Sequence, residues 1–142
     1  MSKVFEDEFT EAQSSLIALC LEAVEGVGGI EELFVFGSAS ATALFFNVFF
    51  KQSGAIKSLG EVGLDDDAQF ELLEIGTTED MSKIKEICER YGRELPYVMK
   101  LHYVVSSGGL DAKYRYKIPA DDNLDRDVTE DFLEWREEEK AE

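Results

Sequence analysis

The residues in this sequence whose chemistry goes beyond solvation are one histidine, two cysteines and two runs of aspartate. His102 shares a β-patterned stretch with Lys100, and no nearby carboxylate is placed to orient its ring. A surface histidine is expected there, with a general base as the alternative. A single histidine supplies neither a His-rich metal site nor a His pair. Asp65-Asp66-Asp67 and Asp121-Asp122-Asn123-Leu124-Asp125 are oxygen-rich like calcium loops, but neither has the glycine and closing glutamate of an EF-hand. Gly26-Val27-Gly28-Gly29 follows a helix and precedes a strand. That is the reverse of a phosphate loop, and it reads as a turn. Cys20 and Cys88 fall at apolar positions of predicted helices, as reduced core thiols do. No Cys-x-x-Cys, Walker loop or nucleophile elbow occurs, and paired carboxylates occur in nearly every acidic protein. The expectation is therefore a non-enzyme with no catalytic residue, no cofactor and no metal site.

Charge carries more information. There are 31 acidic and 14 basic residues, a formal net of −17 on 142 residues. Self-repulsion of that size weakens a compact state, so the surplus is explained by what the surface meets. It argues against a nucleic-acid partner, whose backbone is held by cations. It fits either a well-solvated surface or a basic protein partner. The surplus is uneven: residues 1–75 and 119–142 are strongly acidic, whereas 76–118 hold six acids against eight bases. No apolar run approaches the roughly 20 residues that span a bilayer, so no membrane partner is expected. The N-terminus shows no secretory pattern, which places the chain in the cytoplasm.

The elements that must position these groups follow from periodicity. Residues 3–25 read as a helix, with Phe5, Phe9, Ala12, Leu16 and Cys20 on its apolar stripe. Residues 32–37 and 42–51 read as a hairpin turning at Ser38–Ala41. The second arm is apolar on both faces, with Leu44, Phe46, Val48 and Phe50 on one and Phe45 and Phe49 on the other. The Phe45 face, with Leu33 and Val35 as expected neighbours, needs a second cover. A short third strand is expected near Ala55–Leu59. The acidic turn Asp65–Asp67 precedes a short helix, and a firmer helix over 78–91 is capped by Thr77 or Thr78 and stopped by Gly92 and Pro96. Residues 97–118 alternate as a second hairpin. Tyr97, Met99, Leu101, Tyr103, Leu110, Ala112, Tyr114 and Tyr116 face inward; Lys100, His102, Lys113, Arg115 and Lys117 face outward. After an acidic loop, Pro119–Asp127, residues 128–140 form a last helix. The whole chain, 1–142, is one α+β domain of order α-β-β-(β)-α-β-β-α. Its antiparallel sheet has four to five strands, with helices mainly on one face.

These features together resemble the YezG-like family of bacterial antitoxin or immunity proteins. An amphipathic helix leads into the aromatic strand pair Leu33–Phe36 and Leu44–Phe50. A later helix leads through Gly92 and Pro96 to the strand Tyr97–Val105. Gly109-Leu110-Asp111-Ala112-Lys113-Tyr114-Arg115-Tyr116 ends in a Tyr-x-Tyr pattern, and an acidic stretch precedes a closing helix with one Trp, Trp135. The chain departs from the family at Tyr97, where members tend to carry Trp, and across 53–76. The resemblance implies a small cytosolic protein that binds one secreted toxin, often a nuclease, and blocks it until export. The expected partner is thus a basic cognate toxin in a 1:1 or homodimeric 2:2 complex. The expected contact residues are Asp65, Asp66, Asp67, Asp121, Asp122, Asp125, Glu134, Trp135 and Glu138. Trp135, ringed by glutamates, has the composition of an interface anchor; tying the last helix to the sheet is the reading favoured over that one. A type III-class secretion chaperone is the alternative function. It would use Phe45 and Phe49 in a groove or dimer seam.

Overall fold

A strand pair that is apolar on both faces must be covered twice, and this requirement organises the structure. In a computed structural model, residues 4–116 and 128–142 are described. Helix α1 (Phe5–Ala23) leads into β1 (Ile30–Ala39), β2 (Leu44–Gln52) and β3 (Ala55–Lys57). Helix α2 (Asp66–Ile75), a π-helical segment (Gly76–Met81) and α3 (Ser82–Arg90) follow, then β4 (Val98–Val104), β5 (Gly109–Arg115) and α4 (Val128–Lys140). The strands form one antiparallel sheet of order β3-β2-β1-β4-β5. The fold is the expected α+β arrangement. No helix among the described residues is long and apolar enough to cross a membrane.

Side chains alternate between faces along each strand. One face presents Leu33, Val35, Phe46, Val48, Phe50, Met99 and Leu101 to the layer of α1, α2 and α3, where Leu16, Cys20, Leu72, Ile84 and Ile87 complete the core. The other presents Phe34, Phe36, Phe49 and Val98, and α4 covers them with Phe132 and Trp135. Phe34 is the hub of this second core. Its ring stacks on Phe49 at 4.6 Å and meets the edge of Trp135 at 5.8 Å. Leu33 and Val35 pair directly with Phe50 and Val48. Directly opposed residues in an antiparallel pair project to one face, so these two face the helix layer, not Phe45 and Phe49 as expected. The neighbours of Phe45 and Phe49 are Phe36 and Phe34. Tyr97 also departs from expectation and packs against the α4 core. It precedes the first ladder residue, Val98, so strand alternation does not govern it.

The expected helix break before Thr78 is absent, and the helix runs through Gly76–Met81 as π-helix. The cap lies earlier, where the Asp65 carboxylate accepts from the Ala68 N–H at 2.8 Å. Thr78 instead donates its hydroxyl to the Glu74 carbonyl at 2.7 Å. Gly76 is required by proximity: a Cβ there would run into the Phe46 ring. Gly37 plays the same part in β1, since a Cβ would lie 2.7 Å from Met81 Sδ. The two glycines let the π-helical segment press onto the sheet. The rod ends as expected at Gly92, in the left-handed region at φ 67°. The Arg93 N–H closes back on the Cys88 carbonyl and Gly92 on Glu89, a Schellman pattern.

Two outcomes follow for stability. Phe50→Ala, removing a fully buried ring, should cost about 3–5 kcal/mol in urea unfolding. Gly76→Ala should destabilise even though alanine is favoured over glycine in a helix by about 1 kcal/mol. Combined with Phe46→Leu, the loss should be less than additive; a stabilising Gly76→Ala would show that the contact is slack.

Candidate functional site

The expected contact residues do not form one surface. Asp65, Asp66 and Asp67 are exposed at the start of α2, in the three-helix layer. Carboxylates there also complement the partial positive charge of a helix N-terminus. Glu134 and Glu138 are exposed on α4, across the sheet. Trp135 between them is 7% exposed, and its ring is part of the second core. It ties α4 to the sheet and does not stand at the surface as an anchor. Asp121, Asp122, Asp125 and Lys117 lie outside the described residues.

The outward face of the second hairpin is met by the chain's own last helix. Arg115 forms an ion pair with Asp131 of α4 at 3.1 Å. Lys100 lies over the Trp135 ring, 5.4 Å from its centroid. His102, expected to have no orienting carboxylate, has one: Nε2 hydrogen-bonds to Glu32, and the ring stacks on Phe34 at 4.5 Å. The β1–β4 register explains this. Phe34 pairs with His102, so Glu32 lies two residues along on the same face, 70 positions away in sequence. Lys51 of β2 approaches the same carboxylate at 3.5 Å.

Beside these groups, a cleft of about 350 Å³ separates the end of α4 from β4 and β5. Lys100, His102, Asp111 and Lys113 line it from the sheet, and Glu138, Glu139 and Glu142 from the helix side. The arrangement can fix an imidazole and pass a proton, but the lining offers no hydroxyl or thiol as nucleophile. Among the described residues no group of three or more His, Cys, Asp or Glu could hold a metal ion. Protein-family models and curated proteins give no match to this chain. The site's own chemistry has to carry the functional argument.

The opposite layer differs in kind. Helices α1 and α2 and the π-helical segment contain no Lys or Arg. At the start of α1, Glu6 and Glu8 meet Arg93 and Arg90, at and beyond the end of α3. Further along, Glu22 on α1 and Asp66, Asp67, Glu71 and Glu74 on α2 are exposed. Among them Phe70 stands 69% exposed. This is the aromatic ringed by carboxylates that composition had placed at Trp135. A helical wheel would have found it, since positions two apart lie about 200° apart and Leu72 is buried.

Burial and the neighbouring Glu142 push the Glu139 carboxyl above its ordinary range, against a hydrogen bond from Trp135 and the nearby His102. A carboxyl with a raised folded pKa holds its proton more tightly in the folded state. It favours folding at low pH, and that contribution is lost as pH rises from the unfolded value through the folded one. Glu139→Gln keeps an acceptor for Trp135. Its Tm should exceed that of the parent at pH 7, with the difference closing below about pH 4. A lower Tm at pH 7 would mark the carboxylate as a net stabiliser.

Proposed function

We propose that this protein is an inhibitor of a basic protein, acting as bacterial immunity proteins do by holding a cognate secreted toxin. One observation carries the reading: the molecule's charges are segregated. Arg90 of α3, Lys100 of β4 and Arg115 of β5 lie against the chain's own carboxylates or an aromatic ring, while the exposed acids of α2 stand on a helix without Lys or Arg. A fold needing only solvation gains nothing from gathering like charges, which repel one another. A surface that must capture a cationic protein gains faster association and rejection of wrong partners. The exposed Phe70 supplies an apolar contact of the kind that interfaces use as an anchor. A nuclease target suits such a surface, because a site built for polyanion accepts carboxylates in place of phosphates. The resemblance to YezG-like immunity proteins points the same way. The chaperone alternative loses its expected groove, since Phe49 is buried and Phe45 packs on Phe132 of α4.

Co-purification from the native host, with identification of the bound protein, tests the reading. The expected result is a basic folded partner whose enzymatic activity falls on adding the purified chain. Its affinity should drop about tenfold or more between low and high salt as screening shortens. A partner bound as an extended, protease-sensitive segment would replace this reading with that of a secretion chaperone.

A further inference from the structure

A groove runs between the C-terminal half of α1 and helix α2, with a volume of about 350 Å³. Leu19 and Ala23 line it from α1; Ala68, Leu72 and Ile75 line it from α2. The alanines leave open a space that larger side chains would fill. The only charged groups in the lining are Glu22 and Glu71, one from each helix. From Ala68 to Ile75 the groove follows α2 for about two turns, roughly 10 Å. That is the reach of apolar anchors at i, i+3 or i+4, and i+7 on a docked helix.

We propose that this groove is the docking site for a cationic amphipathic helix of the partner protein, its apolar face on Leu19, Leu72 and Ile75 and its Lys or Arg side chains on Glu22 and Glu71. The proposal rests on the inhibitor reading above for the partner's existence and adds where the partner sits. Charge decides the occupant. An apolar helix with acidic flanks would meet two carboxylates with no cation on either helix to offset them. A second copy of this chain, joined by two-fold symmetry, would set the same acidic rims against each other. A basic amphipathic segment satisfies both the apolar floor and the acidic walls.

The test uses the full chain and two fluorescent probes, an 18-residue amphipathic Leu/Lys helix and its Leu/Glu counterpart, read by anisotropy. Three variants accompany it. Ala68→Leu fills the groove without changing charge. Glu22→Gln with Glu71→Gln neutralises the walls. Glu86→Gln with Glu89→Gln makes the same charge change at exposed positions on α3. The expected result is binding of the Leu/Lys probe only, weakened about tenfold by Ala68→Leu and several-fold by the wall pair, with the α3 pair within about twofold of the parent. Circular dichroism confirms that each variant is folded, and the charge pair decides the matter if Ala68→Leu is not. Equal losses from the two charge pairs would reduce the binding to bulk attraction and overturn the proposal. So would failure of the parent to bind, or self-association that Ala68→Leu abolishes. A co-purified toxin that binds every variant equally overturns the groove and leaves the inhibitor reading standing. A groove that binds the probe while no partner is inhibited does the reverse.

Discussion

The aromatic strand pair at the centre of the sheet sets the terms for everything around it. β1 and β2 bury rings toward both sides: Phe46 and Phe50 with Leu33 and Val35 on one, Phe34, Phe36 and Phe49 on the other. Each buried ring is worth kilocalories only if water is excluded from it. Neither side can be left open, so the chain needs helices before, between and after its strands. The larger side takes α1, α2 and α3. The smaller takes α4 alone, which makes Phe132 and Trp135 structural residues first.

That division also sorts the charges. α4 returns across the sheet beside a hairpin whose outward charged residues are mostly cations. Its carboxylates therefore meet Arg115, and its indole lies beneath Lys100. The helices on the far side have no such hairpin to face. The acidity of the chain is thus partly neutralised internally, at Glu8 and Asp131, and partly presented, on α2 and on the outer side of α4. Net charge alone does not distinguish the two; the topology does.

Much of the fold could be read from the sequence, because its signals were periodic. The stripe of α1, the alternation of β4 and β5, and Gly92 as a stop each have one local cause. What escaped depended on contacts distant in sequence. Gly76 has the local signature of a helix end, and only the Phe46 ring beneath it shows otherwise. The Glu32 carboxylate on His102 follows from the β1–β4 register, which no single segment encodes. For the site, Asp65–Asp67, Glu134 and Glu138 are exposed, but their separation by the sheet is not legible in the sequence. Trp135 is buried under α4, and Phe70, to which the sequence assigned no role, is the exposed aromatic. Aromatic residues among acids look alike in sequence, and burial depends on which side of the helix meets the sheet.

The two glycines where the π-helical segment meets the sheet, Gly76 on the helix and Gly37 on β1, act as a keyway. With Gly76 seated on Phe46 and Met81 seated on Gly37, the π-helical segment meets the sheet at two points where an added Cβ would run into a ring or a thioether. These contacts, all between buried residues, constrain α2 from below. A visiting helix would find its berth already cut to shape, so little of the association energy would be spent on ordering the host.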